Sequence, residues 1–290
     1  WDAVLVNPEM KVLARHTFSG LNVRGANPNV VAFKMKDILE YMSHLAGIMP
    51  YHITLMVLAA AGAGDPAART AMENSCHSVF PNNPVMVVTD AEAALYGTFG
   101  DGPGIVLIAG TGSIAWGRDT SGTIARAGGY GYLLGDEGSG FWLGREALRA
   151  AMDAFYRNET CPIGERIKEK MDVADIPEAV SKIYSADYPA AKLAELAPIV
   201  LKQAEDGNKN AVNIVAAAGK SLAALARELQ NKLKFEGYVD VTLTGGLARS
   251  GKLFKTAVAD SLWVNFRMVE AKNEPAVGAI LAGKKESGAG

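Results

Sequence analysis

Apolar residues form short runs or alternate with polar ones at several places in the chain, and these patterns predict β-strands. Residues 2–7 and 11–17 have such patterns on either side of the turn residues Asn7-Pro8-Glu9, which predicts an antiparallel hairpin. Further apolar runs predict four strands, the last of which we expect to be the final strand of the chain: residues 53–60, 85–88, 104–109 and 241–244.

Apolar residues spaced three and four apart predict amphipathic helices among these strands. This spacing occurs at residues 30–45 and 209–234, and Asp65-Pro66 and Thr89-Asp90 are typical helix starts. A terminal helix is predicted at residues 274–285. Strands and helices in alternation predict an α/β fold with partly parallel strands. We expect one domain from residues 1–117 with 274–290, and a second from residues 118–273 that carries a helical insertion.

Composition and charge exclude several classes of protein. Apolar residues make up 49% and charged residues 21% of 290 residues, a balance that excludes disorder for most of the chain. The net charge of −2 gives no electrostatic reason to expect nucleic acid or an anionic membrane as partner. The two cysteines, Cys76 and Cys161, have neither disulfide-scaffold nor metal-binding spacing, which favours a cytoplasmic protein.

Glycine is abundant, with 31 residues, and one cluster lies between two apolar strands. This cluster is Gly110-Thr111-Gly112-Ser113, where glycines allow several backbone N–H groups to point at one anion and the two hydroxyls add donors. It is not a Walker A loop, because no Gly-Lys-Ser/Thr follows. The motif fits either a phosphate-binding turn or an ordinary tight hairpin.

Three other segments combine glycine or carboxylate with a strand end or a helix start. Asp90 follows a strand and begins a helix, so it could be an N-cap, a general base, or both. The block from Gly128 to Gly140 contains Asp136, a carboxylate flanked by glycines, which suits a sugar hydroxyl or a helix start. Gly245-Gly246 follows the strand at residues 241–244 and suits a nucleotide or a helix-packing turn.

Taken in order, these four segments resemble the N-acetylglucosamine and glucosamine kinase branch of the BadF/BadG/BcrA/BcrD ATPase family, in the sugar kinase/Hsp70/actin superfamily. The resemblance covers essentially the whole chain. It implies two RNase H-like (actin-like ATPase) domains with a central interdomain cleft, ATP and Mg²⁺ as cofactors, and a small-molecule sugar as substrate.

The resemblance also implies roles for individual residues. Asp90 matches the catalytic base, and ATP is expected at Thr111, Gly112, Ser113, Gly245 and Gly246. The sugar is expected at Asn27, Gly129, Tyr130, Gly131 and Asp136, with Asn22 as the alternative to Asn27. Ile114 stands where some of these kinases have a sugar-binding asparagine, so the resemblance does not decide which amino sugar is used or which hydroxyl is phosphorylated.

The family begins with a strand that ends in an Asp-Gly-Gly-Gly-Thr turn, and Trp1 corresponds to a position just after it. We therefore expect an N-terminal segment before Trp1 in the native protein. Two other functions within the family stay open: an ATPase that activates a CoA-ester reductase or dehydratase, and a non-catalytic sugar-responsive regulator. Family members often dimerise, but no feature of the sequence decides whether this chain forms a homodimer.

Overall fold

The computed structural model describes residues 1–19, 27–60, 62–185 and 188–286. The strands are β1 (Asp2–Val6), β2 (Val12–Thr17), β3 (Met56–Ala60), β4 (Val85–Thr89), β5 (Gly104–Ala109), β6 (Ser113–Arg118), β7 (Ile124–Gly128), β8 (Val239–Thr244) and β9 (Phe266–Met268). The helices are α1 (Pro28–Ala46), α2 (Pro66–His77), α3 (Asp90–Phe99), α4 (Gly140–Tyr156), α5 (Pro162–Met171), α6 (Ile176–Ile183), α7 (Ala190–Leu193), α8 (Ala197–Glu205), α9 (Lys209–Lys232), α10 (Lys252–Ser261) and α11 (Pro275–Glu286).

The chain divides into two compact units. Unit 1 comprises Trp1–Asp101 and Ala271–Gly290, and unit 2 comprises Gly102–Glu270. The division thus falls before β5, whereas the sequence placed it after β6, near Arg118. The reason is strand pairing, because β5 pairs with both β6 and β8 and so joins the sheet of unit 2.

Unit 1 contains two pairs of strands covered by helices. β1 and β2 form the expected antiparallel hairpin, and β3 pairs in parallel with β4. Proline at the first turn and a side-chain cap begin two of its helices: Asn27 caps α1 and Asp65 caps α2.

The helix α11, which follows the whole of unit 2 in sequence, packs closely on α3. At Gly278 an added Cβ would overlap the carbonyl oxygen of Ala93, so the two helix backbones approach at a distance that only glycine permits. Asn273 N donates to Gly97 O at 2.8 Å just before α11 begins. The C-terminal segment is therefore part of the core of unit 1, together with Ala93, Ala279 and Ala282.

Unit 2 is built on one five-stranded sheet in the spatial order β7-β6-β5-β8-β9. Counted along the chain from β5, this order is 3-2-1-4-5, and the second strand, β6, runs antiparallel to its neighbours while β5, β8 and β9 are parallel. The long helix α9 packs on the sheet through a stripe of buried residues that includes Val215, Leu222 and Leu229. The buried face of the sheet, α4 and α9 share one hydrophobic core.

Two strands were not predicted from the sequence: β7 and β9. The strand β8 is therefore not the last strand, because β9 pairs with it in parallel at the sheet edge. Among the described residues, no helix combines the length and the apolar character needed to cross a bilayer.

Candidate functional site

The glycine cluster at residues 110–113 is a tight turn between the paired strands β5 and β6. Gly110 N donates to Gly112 O at 3.0 Å, and Ala109 pairs with Ser113 across the turn. Thr111 is exposed at its tip, whereas Ser113 is buried. The turn is thus a rigid hairpin that presents one exposed hydroxyl and exposed backbone. The structure confirms the hairpin, and the anion-binding role of the turn stays a prediction.

The segment at residues 136–141 is hydrogen-bonded to this turn along its length. Ser113 N donates to Asp136 Oδ1 at 3.1 Å, and Ser113 Oγ donates to Glu137 O at 2.9 Å. Gly140 N and Phe141 N donate to the carbonyl oxygens of Gly110 and Thr111 at 2.8 and 3.0 Å. The carboxylate of Asp136 is therefore held against the turn, although 23 residues separate it from Ser113.

Asp136 has a left-handed backbone conformation, with φ +65°. A non-glycine residue in this region is uncommon, and such conformations concentrate at functional sites. The helix start that follows does not need this carboxylate, because Ser139 caps α4 by accepting from Trp142 N at 3.1 Å. Asp136 Oδ1 thus accepts from Ser113 N, while Oδ2 accepts no hydrogen bond from any residue that the structure describes.

Gly129, Tyr130 and Gly131 lie next to this carboxylate segment. Gly129 N donates to Ser113 O at 3.2 Å, and an added Cβ at Gly129 would lie 2.5 Å from Ile114 Cδ1. The side chain of Tyr130 is exposed. A pocket of about 230 Å³ lies between this loop and α9, lined among others by Tyr130, Asp136, Glu137, Ser221, Leu225 and Glu228.

The residues of α9 that line this pocket were not predicted from the sequence to belong to a site. Leu225 lies on the apolar face predicted for the helix at residues 209–234, and Ser221 and Glu228 lie on either side of it along the helix. Glu228 is also paired with Lys232, with 2.6 Å between Oε1 and Nζ. The i,i+4 spacing of this ion pair was visible in the sequence but does not indicate a pocket.

Gly245 and Gly246 lie at the end of β8, beside the end of β5. Ile108 pairs with Thr244, and a Cβ at Gly245 would overlap the carbonyl oxygen of Ala109. Gly245 has φ +100°, whereas Gly246 is exposed with open space around its Cα. Three of the segments predicted from the sequence therefore lie together at the end of β5 in unit 2: the turn at residues 110–113, the segment at residues 136–141 and Gly245-Gly246.

Asp90 lies in unit 1, at the carboxyl end of β4. Thr89, and not Asp90, is the N-cap of α3: its hydroxyl accepts from Glu92 N at 3.0 Å. Asp90 is the first residue of the helix and is exposed, and its Oδ1 accepts from Ala91 N at 3.0 Å. In the described part of the chain Oδ2 accepts no hydrogen bond, so the carboxylate is available for a ligand.

Asn27 also lies in unit 1. Its Oδ1 accepts from Asn29 N at 2.9 Å and so caps α1, while the residue as a whole is exposed. The alternative, Asn22, lies outside the described residues. The cysteines are in different environments: Cys76 is buried in unit 1, and Cys161 Sγ accepts from Gly164 N at the start of α5.

The sequence profile of the BadF/BadG/BcrA/BcrD ATPase family matches residues 1–283. The chain belongs to this family. The family predicted from the four motifs is thus confirmed.

Two relatives that are similar in sequence to this BadF/BadG-type chain are sugar kinases. An N-acetylmuramic acid/N-acetylglucosamine kinase from Clostridium acetobutylicum is 28% identical over 231 residues, which cover 78% of this chain and 76% of the relative. An N-acetyl-D-glucosamine kinase from Dictyostelium discoideum is 30% identical over 203 residues, covering 66% of this chain and 63%, just under two thirds, of that relative.

Solved structures confirm the α/β fold class of this family member. A candidate N-acetylglucosamine kinase from Chromobacterium violaceum has a TM-score of 0.74 at 24% identity, with 95% of this chain and 92% of that chain covered. A ROK family glucokinase from Streptomyces griseus, in complex with glucose and AMPPNP, has a TM-score of 0.55 at 15% identity, with 96% and 93% covered. At these identities the likeness establishes the fold.

Proposed function

We propose that this chain is an ATP-dependent kinase that phosphorylates an amino sugar, N-acetylglucosamine or glucosamine. The observation that carries the proposal is the Asp136 carboxylate, held in a left-handed backbone conformation against the glycine turn of an ATPase-family chain. Both curated relatives have names that specify kinase activity on N-acetylglucosamine.

The proposed ATP contacts are Thr111, Gly112, Gly245 and Gly246. Ser113, which the resemblance also placed at ATP, is buried and donates its N–H to Asp136 and its hydroxyl to Glu137 O, so we propose that it supports the turn instead of contacting phosphate. The exposed Thr111 hydroxyl and the backbone of the turn suit phosphate oxygens, because N–H groups and hydroxyls in a glycine turn can surround an anion. Gly246 has open space around its Cα, which lets a flat group such as a nucleotide base approach the backbone.

The proposed sugar contacts are Asn27, Gly129, Tyr130, Gly131 and Asp136. The second carboxylate oxygen of Asp136 can accept hydrogen bonds from sugar hydroxyls, and hydrogen bonds to a charged acceptor are the stronger ones. The exposed ring of Tyr130 can pack on the apolar face of a sugar ring. The amide of Asn27 can donate to a hydroxyl while its oxygen caps α1.

Asp90 is the proposed general base. Its exposed carboxylate accepts the proton of the attacking sugar hydroxyl as the phosphoryl group is transferred, and such a base contributes about 10²–10⁴-fold to the rate. The remaining catalysis comes from positioning and from neutralising charge on the phosphoryl group.

Mg²⁺ is proposed to enter with ATP. Within the described ranges, no group of three His, Cys, Asp or Glu side chains is arranged to hold a metal ion. Mg²⁺ in such enzymes is usually held by substrate phosphates, water and one or two carboxylates, so a dedicated cluster of three side chains is not required. When bound, the ion would neutralise charge on the transferred phosphate.

A coupled ADP-release assay with N-acetylglucosamine, glucosamine and glucose tests the function. We expect turnover on an amino sugar, and we expect Asp90→Asn to lower kcat about 10²–10⁴-fold with little change in KM. Asp37→Asn, at an exposed carboxylate of α1, is the matched control and should keep wild-type kcat. Near wild-type turnover in Asp90→Asn would refute the assigned base.

We also propose that the enzyme is cytoplasmic, while the sequence leaves open a homodimer, which members of this family often form. The separate environments of Cys76 and Cys161 suit a reducing compartment. Sedimentation velocity at micromolar concentration tests the dimer, since a monomer mass at all concentrations would contradict it.

A further inference from the structure

The turn that carries Asp90 is held by the side chain of Glu92, two residues further along the chain. Thr89 N donates to Glu92 Oε2 at 2.7 Å, and Thr89 Oγ1 donates to the same oxygen at 2.9 Å. In return Glu92 N donates to Thr89 Oγ1 at 3.0 Å. These reciprocal bonds form a capping box, which fixes the backbone on both sides of Asp90.

The same carboxylate is paired with an arginine from the first turn of α2. Arg69 Nη2 lies 3.6 Å from Glu92 Oε2, and Arg69 Nε donates to Ala63 O at 3.0 Å. The side chains of Arg69 and Glu92 are 31% and 22% exposed, so the pair is partly shielded from water. Arg69 therefore joins the carbonyl of the loop after β3 to the capping box after β4.

The segments that follow β3 and β4 begin side by side, at the carboxyl ends of two neighbouring parallel strands. Ala60, the last residue of β3, is paired in register with Thr89, the last residue of β4. In α/β sheets ligands bind at the carboxyl ends of strands, where small backbone shifts change the position of catalytic groups. The Arg69–Glu92 pair thus connects the first turn of α2 to the first turn of α3.

The orientation of the Asp90 carboxylate depends on this backbone. Within the described residues its one hydrogen bond is from Ala91 N, in the same turn. In the ranges that the structure describes, no side chain from another element bonds to this carboxylate, so the direction of Oδ2 follows from the backbone at residues 89–91. The groups that fix this backbone are Glu92 and, through it, Arg69.

We propose that Glu92 and Arg69 are positioning residues for Asp90. This inference rests on the proposed role of Asp90 as base. A displacement of about 1 Å at a reacting group can cost about 10²-fold in rate. We call the capping box of Glu92 together with its Arg69 ion pair the brace. Loss of the brace therefore lowers kcat, whereas a capping box with a structural role alone would affect only the stability of the fold.

The test compares Glu92→Ala, Glu92→Gln and Arg69→Ala with Glu40→Ala, which removes the exposed Lys36–Glu40 ion pair of α1. Melting temperature, kcat and KM for N-acetylglucosamine and ATP are measured for each protein. We expect Glu92→Ala to lower kcat about 10- to 100-fold with both KM values within about twofold of wild type. Glu92→Gln keeps an oxygen for Thr89 and should recover most of this loss.

The double variant Arg69→Ala/Glu92→Ala should be no slower than Glu92→Ala alone, because both substitutions remove one connected unit. Wild-type kcat in Glu92→Ala, at a temperature where the variant is folded, would overturn the proposal even if its melting temperature falls. Wild-type values throughout are expected of Glu40→Ala.

A second readout separates this proposal from the proposed function. The carboxyl ¹³C resonance of Asp90, assigned by its loss in Asp90→Asn, reports the environment of the side chain without any reaction. We expect Glu92→Ala to shift this resonance and Glu40→Ala to leave it unchanged. If the wild type lacks kinase activity but the shift occurs, the base role fails while the brace stands. An unshifted resonance overturns the brace.

Discussion

Gly112 lies directly against the carboxylate of Asp136: a Cβ added to Gly112 would come within 2.7 Å of Asp136 Oδ2. Since Oδ1 of the same carboxylate accepts from Ser113 N, the glycine and the aspartate fit together as one unit. Gly112, a proposed phosphate contact, therefore also leaves room for the carboxylate proposed to bind sugar.

Gly112→Ala is expected to act on the sugar site as well as on the phosphate turn. The new methyl group displaces Asp136, so KM for the sugar should rise about tenfold or more, as expected when a hydrogen bond to a charged group is lost. The comparison variant is Gly110→Ala, in the same turn, where an added Cβ meets open space. Steady-state kinetics would contradict the prediction if Gly112→Ala changed KM for ATP but not for the sugar.

Gly245 and Gly246 offer a matched pair of adjacent glycines. Gly245→Ala forces a side chain into a left-handed backbone and against Ala109, which should lower the free energy of unfolding by about 1–3 kcal/mol. Gly246 has φ −59° and open space, so Gly246→Ala should keep wild-type stability while KM for ATP rises. Chemical denaturation and kinetics distinguish the two. Equal loss of stability in both variants would be evidence against this division of roles.

Gly278→Ala should destabilise unit 1. The added methyl group meets Ala93 O and the backbone of Gly97, and separating α11 from α3 should cost about 1–3 kcal/mol or more. Gly164→Ala makes the same change in α5 of unit 2, where the nearest atom is Ala151 Cβ at 3.3 Å, and should alter stability by no more than about 1 kcal/mol. Hydrogen exchange should locate the loss in residues 1–101 and 271–286; a loss spread evenly over both units would contradict the prediction.

Asp119 is expected to make stability depend on pH. The pKa of its carboxyl lies below the ordinary value, first because the Ser121 hydroxyl donates to it, and further because the N–H groups of Lys234, Thr123 and Ser121 do so. These bonds stabilise the ionised form. Its contribution to stability is therefore present at neutral pH and disappears as the pH falls below about 4, the ordinary pKa of aspartate, and through the lower folded value.

Asp119→Asn should consequently lower the unfolding midpoint at pH 7, where the amide nitrogen cannot accept from Lys234 N. The difference in unfolding midpoint between wild type and Asp119→Asn should become smaller as the pH is lowered towards 3. Asp153→Asn, at an exposed carboxylate of α4, should show no such trend. A gap for Asp119→Asn that stays constant from pH 7 to pH 3 would contradict the assignment.

Local patterns predicted the parts of the fold that local interactions determine. The buried run of β5 and the turn at residues 110–113 were predicted because an apolar strand and a glycine turn each have a signature within a few residues. In contrast, β7 reads Ile-Ala-Arg-Ala-Gly, without an apolar run, and β9 has three residues. Both strands depend on pairing with a neighbour in the sheet, which no short segment reveals.

The same distinction holds for the candidate site. Each motif was recognised separately, but the bond between Ser113 and Asp136 joins residues far apart in sequence and requires a left-handed aspartate. The domain division was misplaced for a similar reason. Arg118 is buried and donates from Nε and Nη2 to Gly102 O, a contact across the β5–β6 hairpin that hydrophobic patterning does not report.

The position of α11 has a consequence for biosynthesis. Unit 2 is continuous in sequence and can fold as soon as it has left the ribosome, whereas unit 1 receives its closing helix only after the whole of unit 2 has been translated. Until then Ala93 and Gly97 on α3 lack their partner and present a bare helix backbone to the solvent. We therefore expect residues 1–101, although translated before unit 2, to complete their fold after unit 2 has been translated.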